Sequence, residues 1–117
     1  RPQLYCPDRR LWEASERVAV VFGMMDALVL SSLRVPVITT SGGSNSFNPA
    51  WLDLWRKHVI ILPDKSGDDK SAMDLAASIG WRGKVVRLPY PDGISDPADF
   101  AKVGKKKELA TILAGVM

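Results

Sequence analysis

The sequence predicts an α/β fold in three layers, a four-stranded, mostly parallel sheet flanked by helices, and three observations predict it. Short apolar runs rich in β-branched residues recur at 18–22, 35–40, 58–62 and 84–88, the pattern of strands covered on both faces. Stretches with apolar residues at helical spacing lie between or after them. The runs end in glycine or aspartate-rich turns, and strands alternating with helices in this way imply right-handed crossovers.

The elements follow in chain order. Residues 1–15 carry Pro2, Tyr5, Pro7 and Leu11-Trp12, too punctuated for a long element and too apolar for a free tail, and are expected to pack along the sheet. Val18 to Phe22 form the first strand, Gly23 the turn, and Met25, Leu28, Val29 and Leu33 the spacing of a helix with Asp26 in its first turn, where a carboxylate is favoured by the helix dipole. The second strand has Pro36 near its start, where a missing N–H is tolerated. A Ser-Gly-Gly-Ser loop at 41–44 leads to a short helix opened by Asn48-Pro49 and carrying Trp51, Leu52, Leu54 and Trp55. The third strand, 58–62, ends in the polar loop 63–69. A helix over 70–79 closes at Gly80, the fourth strand occupies 84–88, Asp96-Pro97 starts a short helical turn, and 105–113 reads as a closing helix.

Composition narrows the function classes. The 117 residues suit one domain, 1–117, with 1–15 as its lead-in, and a start at Arg1 rather than Met fits a domain excised from a longer protein. No run reaches the length of a membrane span. A lone cysteine, Cys6, excludes an internal disulfide and a cysteine zinc cluster and points to a reducing, cytoplasmic compartment. A net charge of +3 permits nucleic-acid binding without requiring it.

Residue types alone leave the chemistry open. Asp64, Asp68 and Asp69 gather in the loop after the third strand, where a Mg²⁺ ion could use them, but on residue types alone helix capping by Asp68 and Asp69 and a turn at Asp64 is the favoured reading. The Ser-Gly-Gly-Ser loop lacks the lysine and spacing of a P-loop and reads as a hinge. Lys105-Lys106-Lys107 reads as a solvated helix start, His58 has no partner nearby in sequence, and Trp12, Trp51, Trp55 and Trp81 sit beside apolar neighbours and read as packing residues.

The order of motifs resembles the Toprim domain shared by bacterial and phage primases, topoisomerases of types IA and II, overcoming-lysogenization-defect nucleases and recombination-mediator proteins. The resemblance spans nearly the whole chain and rests on Phe22-Gly23-Met24-Met25-Asp26-Ala27-Leu28, on Pro63-Asp64-Lys65-Ser66, on Asp96-Pro97-Ala98-Asp99-Phe100 and on the lead-in Leu4-Tyr5. It implies a Rossmann-like three-layer Toprim fold. The family's glutamate, an acid/base group or metal ligand, falls on Phe22, the second aspartate of its Asp-x-Asp pair on Ser66, and a customary glycine on Asp69.

What the resemblance implies is therefore a degenerate Toprim module of a primase-like DNA-replication or mobile-element protein, with weak or no divalent-metal catalysis. Asp64, Asp68 and Asp26 are the expected ligands of a weakly held Mg²⁺. Lys65, Lys70, Arg56 and Lys57 are expected to meet the phosphates of DNA or RNA, and other replication-protein domains are expected partners. Two further readings stand beside it. One is an active Mg²⁺-dependent primase-like or nuclease-like enzyme using Asp64, Asp68 and Asp26. The other is an interaction domain that docks through Phe22, Met24 and Met25.

Overall fold

The structure, a computed structural model, describes residues 4–40, 56–65 and 69–117. The loop expected at 41–46, the helix expected at 48–55 and Asp68 lie outside the described residues. Among the described residues, ten elements follow one another: β1 (Leu4–Tyr5), α1 (Arg9–Ala14), β2 (Arg17–Val20), α2 (Met24–Ser32), β3 (Val37–Thr40), β4 (His58–Ile61), α3 (Asp69–Ile79), β5 (Gly83–Val85), α4 (Pro97–Lys102) and α5 (Lys106–Val116).

The sheet order is β1-β3-β2-β4-β5. The four strands predicted from the apolar runs are β2, β3, β4 and β5, and they are parallel to one another. Val20 stands opposite Ile38 on one side and Ile61 on the other, and Ile61 stands opposite Val85. A two-residue strand from the lead-in, β1, adds an antiparallel edge beside β3. The lead-in is fastened further by α1, whose N-cap Asp8 accepts from the Leu11 N–H and pairs with Arg34 at 3.0 Å, while Trp12 is buried under the sheet.

Period-two alternation divides the core between the two faces. Ala19, Val21, Val37, Ile60 and Leu62 pack with Ala27 and Leu30 of α2, Phe100 of α4 and Leu109 and Leu113 of α5. Val18, Val20, Ile38, Val59 and Ile61 face the other way, onto Trp12 of α1 and Ala72 and Leu75 of α3. Both faces are covered, which is why the strands read as continuous apolar runs rather than as alternating ones.

Two expectations need correction. The fourth strand, expected at 84–88, begins at Gly83 and ends at Val85. In the β4–β5 register the residue opposite position 87 is Pro63, which has no N–H to give, so the pairing stops and Leu88 turns into the core instead. Trp81 does not pack: it sits in the turn after Gly80, 81% exposed. Gly80 closes α3 as expected, in the left-handed region at φ 89°.

Candidate metal centre

In an open parallel sheet the carboxyl ends of the strands form the crevice where ligands are held. Here three aspartates from three separate segments meet at that end: Asp26 in the first turn of α2, Asp64 beyond β4, and Asp96 ahead of α4. One carboxylate oxygen from each lies within 4.8 Å of the other two.

Asp26 is 4% exposed. Burying a carboxylate requires hydrogen bonds to it, and Asp26 Oδ1 accepts one from the Ala98 N–H at 2.8 Å, from the first turn of α4. Gly23, at the head of α2, leaves room for the other oxygen. Its φ of −172° suits any residue, but a Cβ there would stand 3.0 Å from Asp26 Oδ2. Burial pushes the Asp26 carboxyl up to about 7, and the nearby charges of Asp96 and Asp64 add to the effect against the pull of the Ala98 N–H.

Asp64 follows Pro63 off β4 in a backbone held from two sides. The Lys65 N–H donates to the Ser95 carbonyl at 2.7 Å, and the Arg87 guanidinium donates to the Asp64 carbonyl at 3.3 Å. The Asp64 side chain is half-buried, and its Oδ1 is shut off from solvent without a hydrogen-bond partner among the described residues. Burial and the charges of Asp96 and Asp99 hold this carboxyl above its usual range. The Tyr90 hydroxyl beside Pro63 is raised further, by burial and by the same three aspartates.

Asp96 has two roles. It is the N-cap of α4, with Oδ1 accepting from the Asp99 N–H at 2.9 Å, and Pro97 follows at the first helical position. Asp99 answers by accepting from the Ser95 N–H at 2.9 Å and pairs with Lys102, interactions that hold its carboxyl below the usual range. The Asp-Pro-x-Asp segment is thus a reciprocal cap that delivers its first aspartate to the centre and keeps the second outside it.

The donor set fits a hard cation: three carboxylates, one carrying an orphaned oxygen and another poised to release a proton near neutrality.

The expected ligands Asp26 and Asp64 are brought together. Asp96, which sequence reasoning placed in a motif but not among the ligands, joins them. Its signal was the Asp-Pro-x-Asp segment, read as a helix start and as part of the family pattern but not as a source of a ligand. Phe22 faces away from the three carboxylates, its ring packed with the core on the α1 and α3 side. Among the basic residues, Lys65 adjoins Asp64, and Lys70 opens α3 with its ammonium 2.8 Å from Asp74. Arg56 and Lys57 lie at the amino end of β4, across the sheet from the centre. The Lys57 ammonium donates to the Ser15 carbonyl at 2.6 Å and lies over the Trp12 ring. Met24, Met25 and Leu28 are exposed on α2.

No protein-family model and no curated protein matches the chain. Among solved structures it is similar to the Aquifex aeolicus primase (zinc-binding and RNA polymerase domains), with a TM-score of 0.63 and 21% identity over 92% of this chain and 27% of that one. It is also similar to the primase fragment of the bacteriophage T7 primase-helicase protein, with a TM-score of 0.56 and 18% identity over 89% of this chain and 46% of that one. The chain has a Toprim-like, primase-type fold. It spans about a quarter of the first structure and under half of the second. No described helix is long and apolar enough to cross a membrane.

Proposed function

We propose that this chain is the degenerate Toprim module of a longer, cytoplasmic, primase-like replication or mobile-element protein. It contributes nucleic-acid or protein contacts and holds a divalent cation weakly. The observation that carries the reading is the convergence of Asp26, Asp64 and Asp96 at the carboxyl ends of β2 and β4, with Phe22 at the position of the family glutamate and its ring turned away. Asp26, Asp64 and Asp96 would hold Mg²⁺, and Asp68 is a further proposed ligand. Bound there, the ion would supply positive charge to neutralise phosphate oxygens. Lys65 and Lys70 are proposed to meet nucleic-acid phosphates beside it, and Arg56 and Lys57 to do so at the other end of the sheet.

A second reading is favoured by one feature. Asp96 brings the number of clustered carboxylates to three without any glutamate, the donor set that an active one-metal primase-like or nuclease-like enzyme would use. Calorimetric titration of Mg²⁺ and Mn²⁺ into the folded chain, followed by primer-synthesis and nuclease assays, tests both. Weak binding that Asp64→Asn abolishes, with no turnover, supports the degenerate module. Metal-dependent turnover lost in the same variant supports the enzyme. A wild-type chain that binds neither ion overturns the metal centre.

A further inference from the structure

The amino end of the sheet, opposite the carboxylates, carries an aromatic and cationic surface that the metal centre does not use. Arg17 of β2 stands opposite His58 of β4. The Val59 N–H donates to the Arg82 carbonyl at 2.8 Å, and Val59 stands opposite Gly83, which sets Arg82 beside His58 on the far side. Neighbouring strands lie about 4.8 Å apart, so Arg17, His58 and Arg82 form one row across three strands. Arg56, exposed, lies just ahead of it, and Glu16 is the acidic neighbour at the entrance to β2.

Trp81 stands at the end of this row. The ring is held in place, with the His58 ring 5.4 Å away at 76° to it and the Arg82 guanidinium 5.2 Å from its centre, yet the residue is 81% exposed. An indole positioned by a histidine and an arginine but left open to water is a stacking platform, and the surrounding arginines supply the charge that a phosphate backbone needs.

We infer that this surface binds single-stranded nucleic acid, with an unpaired base stacked on Trp81 and backbone phosphates met by Arg82, Arg56 and Arg17. Arg17 already donates one N–H to the Met117 carbonyl at 3.1 Å and offers the others. A single strand is specified because a base within a duplex is already stacked. Lys57, its ammonium bonded to the Ser15 carbonyl and set over the Trp12 ring, adds positive charge at the edge of this surface. The inference rests on the nucleic-acid half of the proposed function and moves its principal contact away from the metal centre.

The test is fluorescence anisotropy of a labelled oligothymidylate and of its RNA counterpart with the whole chain, in chelator and again in Mg²⁺. The variants are Trp81→Ala, Trp81→Phe and the pair Lys65→Ala/Lys70→Ala. Salt-sensitive binding that persists in chelator is expected. Trp81→Ala should weaken it on the order of tenfold, and Trp81→Phe should restore most of it. The two oligonucleotides show whether DNA or RNA is the better ligand. Substituting so exposed a residue leaves the core intact, and an unchanged Tm verifies this. Wild-type affinity in Trp81→Ala overturns the inference. Loss confined to the Lys65/Lys70 variant overturns it while leaving the nucleic-acid reading standing at the carboxyl end. A wild-type chain that binds neither strand, with or without Mg²⁺, overturns both.

Discussion

The Ala98 amide donates to Asp26 Oδ1 at 2.8 Å, joining positions 72 residues apart and tying the first turn of α4 to that of α2. This bond is why a carboxylate can sit almost fully buried at the sheet's carboxyl end. It also fixes the separation of Asp26 from Asp96, since both depend on the start of the same short helix.

The protonation of Asp26 makes stability depend on pH. Its carboxyl is at about 7 in the folded chain against 3.8 for the unconstrained group. The folded state therefore keeps a proton that the unfolded chain has lost. The stabilising contribution is complete below about pH 4 and is lost as pH rises through 7. Asp64, also raised, acts in the same direction. Without a divalent cation the Tm should fall between pH 5 and 8. Asp26→Asn, which can still accept from Ala98, should flatten that fall and add on the order of 2 kcal/mol at pH 8. Thermal melts of both proteins across this range check it, and parallel slopes would remove Asp26 as the cause.

Gly23 is needed for space, not for backbone conformation. A methyl group there meets Asp26 Oδ2 at 3.0 Å, so the carboxylate must move by a few tenths of an ångström. Gly23→Ala should cost about 1 kcal/mol and weaken any Mn²⁺ binding measured by calorimetry. Unchanged metal affinity would show that Asp26 does not take part.

The fold was largely legible because its signals are local. The apolar runs, Gly23, Gly80 and Asp96-Pro97 mark strands, turns and caps within a few residues. The metal centre was legible only in part. Asp26 and Asp64 stand at strand ends, where any α/β sheet gathers ligands, whereas Asp96 reaches them through the Ala98 bond, a long-range contact no spacing encodes. Trp81 was misread because it was judged by its apolar neighbours in sequence, and the turn between α3 and β5 leaves it in water. Arg56 and Lys57 lie near a strand end in sequence, but the opposite end from the aspartates.

Thr39 separates an idle buried polar atom from a useful one. Its hydroxyl, like Asp64 Oδ1, is buried without a hydrogen-bond partner among the described residues. It lies on β3, outside the carboxylate cluster. Thr39→Val keeps the shape and removes the orphan, and should raise stability by about 1 kcal/mol without altering metal affinity. Chemical denaturation would detect the gain, and a destabilised variant would mean that the hydroxyl has a role in the folded state.

Asp96 and Asp99 allow capping to be separated from metal binding. Asparagine caps helices as well as aspartate does, so Asp96→Asn should preserve α4 and, by removing a half-buried like charge beside Asp26 and Asp64, hold or raise the apo stability. The same change removes a charged ligand and should weaken Mg²⁺ and Mn²⁺ binding at least severalfold. Asp99→Ala does the reverse. It gives up the bond from the Ser95 N–H and the pairing with Lys102 and should lower the Tm, yet leaves the three clustered carboxylates in place. Thermal melts and calorimetric titrations of the two variants should therefore cross, one losing metal and the other losing stability. If both variants lose metal affinity equally, the start of α4 serves the centre only as a scaffold, and Asp96 is not a ligand.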